Sequence, residues 1–79
     1  MRDFNTPRTL WRVSFGERLK TARLDGGMTQ ARLSELSSIS ENSLRAYERG
    51  AVEPTCYVVY RLAMSLGITA DELLGMEGE

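Results

Sequence analysis

Between Thr29 and Gly50 the chain is cut by its own capping residues into two short helical pieces, and no other stretch constrains the fold as tightly. Thr29 and Ser40 each carry a side-chain oxygen that accepts from an amide three residues on, the bond that starts a helix. Ser37-Ser38 breaks the first piece, and Gly50 stops the second because glycine takes the left-handed backbone that closes a helix. Leu33 and Leu36 form the expected inward side of the first piece, Leu44 and Tyr47 that of the second. What remains on the second piece, Glu41, Asn42, Arg45 and Ala46, is an outward set one turn deep.

The flanks read as further helices. Ser14 with Glu17 has the form of a capping box, after which Phe15, Leu19 and Ala22 make one apolar stripe that ends at Gly26-Gly27. Thr55 caps a fourth helix to about Leu66, with Val59, Leu62, Ala63 and Leu66 inward, and Thr69 with Glu72 opens a short fifth bearing Leu73 and Leu74. Cys56 to Tyr60 favours a strand by propensity, but the period continues to Leu66 and argues helix. The expected fold is all-α with five helices. Residues 1–13 read as an arm or extension containing Pro7, residues 14–75 as the domain, and residues 76–79 as an acidic tail.

Seventy-nine residues suit one domain with a marginal core. The single cysteine, Cys56, cannot form an internal disulfide. With no histidine, the usual zinc and general-base constellations lack material, so no metal, cofactor or catalytic residue is expected and the chain does not read as an enzyme. No apolar run approaches the ~20 residues of a membrane span, and the N-terminus lacks a secretory pattern, so a cytoplasmic protein without membrane contact is expected. The formal charge of −1 is unevenly distributed. Before residue 51, nine cations stand against six carboxylates, a balance of +3; after it, Arg61 alone stands against five, a balance of −4. Such asymmetry suits either a nucleic-acid face on one side or an ordinary solvated bundle.

Two helices joined by a tight turn, the second with a polar outer face, are the geometry with which a helix-turn-helix enters the DNA major groove. Asn42 can pair bidentately with adenine and Arg45 with guanine, Ala46 offers a methyl to thymine, and Glu41 can accept from the cytosine amino group. Phosphate contacts are expected from Gln30 and the start of the second helix, from Ser43 and Arg49, and from Thr55 at the start of the fourth. Arg8 and Arg12 have the chemistry to reach a minor groove, but packing of Trp11 over the first helix with a loose remainder is the preferred expectation.

At these residues the sequence resembles the phage-repressor and Cro type of helix-turn-helix domain, the Xre family. The resemblance runs from about Phe15 to Leu74 and rests on Phe15-Gly-Glu-Arg-Leu19, Arg23, Met28-Thr-Gln30, Leu33, Ser40, Leu44, Glu48-Arg-Gly50, Pro54-Thr55, Leu62-Ala63, Leu66-Gly-Ile68 and Glu72-Leu-Leu74. It implies a compact five-helix lambda-repressor-like domain that binds double-stranded operator DNA, usually as a homodimer, and regulates transcription, with repression expected and no small-molecule ligand evident. It also implies an internal ion pair between Arg23 and Glu48. Three positions depart from the family: Ser34 where alanine is usual, Ser38 where glycine is usual, and a loop Ala51-Val-Glu53 without the cations often found there. The Ser34 hydroxyl is expected to bond the carbonyl one turn back. Tyr57, Val58, Tyr60, Leu74 and Met76 offer a dimer interface, although ordinary core claims some of them. A protein-binding adaptor or antitoxin-like module that keeps the fold with weak or no DNA binding is the alternative reading.

Overall fold

The structure, a computed structural model, describes residues 7–76. Five helices follow one another: α1 (Arg8–Asp25), α2 (Gln30–Ser37), α3 (Glu41–Glu48), α4 (Cys56–Leu66) and α5 (Ala70–Leu74), with no strand among the described residues. Phe15, Leu19, Leu33, Leu44, Val59, Leu62, Ala63 and Leu73 make the buried core, drawing on every helix. Each of the larger ones contributes roughly 1.5–3 kcal/mol by leaving water.

Four N-caps form where local chemistry places them. The hydroxyl oxygens of Thr29, Ser40, Thr55 and Thr69 accept from the amides of Arg32, Ser43, Val58 and Glu72. At Thr69 the box is complete, since the Glu72 carboxylate accepts from the Thr69 amide at 3.2 Å.

The first helix departs from expectation. It begins at Arg8 behind Pro7, not at Ser14, so Ser14 lies exposed within the helix and caps nothing. Proline suits a helix start because its fixed φ fits and its missing N–H would be unsatisfied there anyway. Residues 8–13 are therefore two further turns of α1, and the part of the expected arm before residue 7 lies outside the described residues. On those turns Trp11 stacks on Phe15, ring centroids 5.4 Å apart, and closes one side of the core.

Leu36 also differs from expectation: it is exposed, and Ser37 takes the inward place. The Ser37 hydroxyl donates to the Leu33 carbonyl at 2.7 Å and its oxygen accepts from the Ile39 amide at 3.2 Å. A buried polar group satisfied twice is tolerated, and here it locks the exit from α2 into the turn. The hydroxyl bond one turn back, expected at Ser34, is thus made by Ser37. Ser38 stands in the left-handed conformation with φ 63°, the only non-glycine residue of the described chain to do so. Because side chains with a Cβ disfavour that region by about 1 kcal/mol, Ser38→Gly is expected to raise stability by about 0.5–1 kcal/mol. Urea unfolding of the two proteins checks the sign.

Candidate nucleic-acid interface

The turn Ser38 to Ser40 sets α3 across α2, and the remainder of the molecule fixes α3 from behind. Leu44 is fully buried and Tyr47 packs against the core. Gly16 of α1 lies against the last carbonyls of α3: a Cβ there would meet the oxygens of Tyr47 and Glu48 and come 2.9 Å from the Glu48 carbonyl carbon. Gly50, at φ 74°, ends α3 by letting the Ala51 amide reach the Ala46 carbonyl at 2.9 Å, and it rests on the Val13 backbone. The two extra turns of α1 thus buttress the end of α3.

An ion pair fastens the same end. Arg23 donates to both Glu48 oxygens, at 2.7 Å from Nε and 3.1 Å from Nη2, and its Nη1 donates to the Met28 carbonyl at 2.8 Å. Both side chains are nearly closed to solvent, 9% and 6% exposed. Gln30 joins them, its amide donating to Glu48 Oε1 at 3.1 Å. One Gln30 N–H is therefore committed internally, and the residue links the start of α2 to the end of α3.

Glu41, Asn42 and Arg45 are exposed on the outer face of α3, and Ala46 is half-buried beside them. Arg45 lies beside the other two. Arg45 Nη2 donates to Asn42 Oδ1 at 3.2 Å, and Arg45 Nη1 lies 3.8 Å from Glu41 Oε2. Ser43 is half-buried, its hydroxyl oxygen accepting from the Ser40 hydroxyl at 3.0 Å, which leaves its own O–H available to donate. Arg49 is exposed at the C-cap of α3 and makes no ion pair among the described residues. Thr55 is exposed and caps α4.

The charge count of the sequence changes meaning once partners are known. Arg18 donates to the Leu73 and Leu74 carbonyls at the end of α5, both at 2.9 Å, and burial lowers its pKa from the ordinary arginine value. Arg61 donates to the Ser37 carbonyl at the end of α2 at 3.0 Å, and Arg12 donates to the Gly50 carbonyl at 3.4 Å. Guanidinium groups at helix C-termini satisfy orphan carbonyls and the negative end of the dipole. Arg8 grips Glu53 with two hydrogen bonds of 2.9 and 3.0 Å, which hold the Glu53 carboxyl below the usual carboxylate range. Neither Arg8 nor Arg12 stands as a free arm, and the loop carboxylate is neutralised from α1. Sequence reasoning missed these roles because the partners lie 38 to 56 residues apart in the four pairings of Arg8, Arg12 and Arg18.

Among the described residues no group of side chains suited to a metal ion occurs, and no helix is long and apolar enough to cross a membrane.

Comparison with known proteins agrees with this geometry. A helix-turn-helix family model matches residues 19–73. The chain is 37% identical over 60 residues to the SPbeta prophage-derived uncharacterized HTH-type transcriptional regulator YonR of Bacillus subtilis (strain 168), covering 76% of this chain and 56% of that protein. It is 35% identical over 65 residues to the HTH-type transcriptional regulator ImmR of the same organism, covering 82% of this chain and 51% of the relative. The chain therefore spans about half the length of these two relatives. Among solved structures, the restriction-modification controller protein C.AhdI from Aeromonas hydrophila superposes with a TM-score of 0.77 at 32% identity, covering 78% of this chain and 94% of that one. The match over most of the chain, the five helices in order and the capped α2–turn–α3 unit place it plainly: this protein belongs to the Cro/C1-type helix-turn-helix family, a class of transcriptional regulators rather than enzymes.

Proposed function

We propose that the chain is a sequence-specific DNA-binding regulator of transcription that acts by occupying its operator, with α3 in the major groove. The observation that carries the reading is the outer face of α3, where Glu41, Asn42 and Arg45 stand exposed on a helix whose opposite side is pinned by Leu44, Gly16 and the Arg23–Glu48 pair. Those side chains have the donors and acceptors to read base edges, whereas Ser43, Arg49, Thr55 and the remaining Gln30 N–H suit phosphate oxygens. Repression is the reading for such an occupancy, and a cytoplasmic location goes with it.

A homodimer fits the outward surface of α4. Core packing takes Val58 and Leu74, but Tyr57, Tyr60 and Met76 remain exposed, joined by Met64, which the sequence reading did not single out. Tyr57, Tyr60 and Met64 follow helical spacing and form one apolar stripe. Two copies joined symmetrically would meet two half-sites about 34 Å apart.

Gel-shift titration tests the reading. Asn42→Ala and Arg45→Ala are each expected to weaken operator binding by about 10-fold or more, one base-edge contact each, with unchanged circular dichroism. Failure of the parent protein to bind any duplex at low salt would instead favour a protein-binding adaptor built on the same fold.

A further inference from the structure

Glu48 serves two partners of different kinds. Its Oε2 accepts from Arg23 Nε at 2.7 Å, while its Oε1 accepts twice, from Arg23 Nη2 at 3.1 Å and from the side-chain amide of Gln30 at 3.1 Å. Arg23 neutralises the carboxylate and helps to close it from water. Gln30 adds no charge to the cluster. It is the first residue of α2, half-buried, and the only glutamine of the chain. An ionised carboxylate only accepts, so it admits the NH2 end of the amide and excludes the carbonyl end. The contact therefore selects one of two amide orientations and restrains a side chain that otherwise samples many rotamers. One N–H is committed to Glu48, and the same nitrogen keeps a second for an outside acceptor.

We propose that Glu48 is a positioning residue for DNA binding: through Oε1 it holds the Gln30 amide in the orientation that donates to a phosphate oxygen of the duplex. This assignment rests on the proposed function, in which α3 lies in the major groove and Gln30 meets the backbone. Phosphate contacts fix the register and orientation of a protein on the duplex without carrying sequence information themselves. Here the side chain suited to that contact is bonded to the last residue of α3. Backbone grip and recognition helix thus share one carboxylate, and α3 enters the groove at a fixed offset from the phosphate. Because the fold has already ordered Gln30, the side chain loses little further freedom on binding, which is the gain that preorganisation supplies. The charge of Glu48 does not oppose the phosphate, since Arg23 pairs with both of its oxygens.

A double-mutant cycle separates this role from the contribution of the ion pair to the fold. Gln30→Ala is made in the parent and in the Arg23→Met, Glu48→Leu double variant, and each protein is titrated with a duplex selected by the parent and with an unrelated duplex. In the parent, Gln30→Ala should weaken binding about 5-fold, within the range of one hydrogen bond. The loss should be equal on both duplexes, with the salt slope unchanged, because a neutral amide releases no counterion and contacts no base. Without the pair, the same substitution should cost less than about 2-fold, since an unrestrained amide returns most of its contact as ordering entropy. NMR on the DNA-free parent adds a measurement that needs no variant to fold: the Gln30 side-chain amide, unique in the chain, should be as ordered on the nanosecond scale as the backbone of α2. An equal cost of Gln30→Ala in both backgrounds, no cost in the parent, a loss confined to the selected duplex, or an amide as mobile as that of an unstructured glutamine would each overturn the role of Glu48 while leaving α3 as the recognition helix. A parent that binds neither duplex would instead overturn the major-groove reading, and the role of Glu48 with it.

Discussion

Glu48→Ala is expected to destabilise the protein by about 3–5 kcal/mol, the cost of leaving a buried cation without its anion. Arg23 is 7% exposed and its guanidinium makes three hydrogen bonds, two of them to Glu48. Without the carboxylate, Arg23 keeps only the Met28 carbonyl, and Gln30 loses its acceptor as well. A domain of this size has roughly 4–12 kcal/mol of stability in total, so the variant should lose a large share of it and melt well below the parent. Replacing both members by apolar residues, Arg23→Met with Glu48→Leu, should recover much of the loss, because buried ion pairs often exchange for well-packed apolar groups at little net cost. Thermal unfolding of the single and double variants checks both statements. A melting temperature of Glu48→Ala equal to that of the parent would show that the pair does not fasten α3.

Gly16→Ala is the second large effect, and it runs against local propensity. In an exposed helix, alanine in place of glycine would add up to about 1 kcal/mol. Here the new methyl would meet the carbonyl oxygens of Tyr47 and Glu48, which belong to backbone and cannot swing aside. Relief requires α1 and α3 to separate, opening the contact between Phe15, Leu44 and their neighbours. Overpacking of this kind costs about 1–3 kcal/mol, and a clash with backbone belongs at the upper end, so a net loss of about 2 kcal/mol is expected in urea unfolding. A stabilised variant would mean that the helices do not approach as closely as described.

The two substitutions mark the limit of what the sequence discloses. Helix starts at Thr29, Ser40, Thr55 and Thr69 were legible because a cap is a bond over three residues, written in the local sequence. The start of α1 was not, since Pro7 reads equally as the end of an arm or the first corner of a helix, and Ser14-Phe-Gly-Glu17 imitates a capping box. Leu36 misled for a different reason. Apolar spacing puts position 36 or 37 inward, and only the doubly bonded Ser37 hydroxyl decides between them. The polar positions of α3 were legible as a face, because Leu44 and Tyr47 fix its phase. Their mutual contacts were not, since rotamers are chosen among neighbours rather than encoded in spacing. The arginines show the same division most clearly. Their number and position before residue 51 suggest a basic half, but Arg12 and Arg18 donate to the carbonyls of distant segments and Arg23 is paired with Glu48. These guanidinium groups hold the fold rather than reach outward, which leaves Arg45 and Arg49 on the α3 side.

Selection of bound sequences from a random duplex pool addresses the central claim most directly. The parent should enrich an inverted repeat whose half-sites lie about one helical turn apart. In each half-site, Asn42→Ala and Arg45→Ala should each relax the preference at a separate position while leaving the rest of the repeat intact. Enrichment of no sequence, or of a sequence whose preferences survive both substitutions unchanged, would contradict the assignment of α3 as the reading helix.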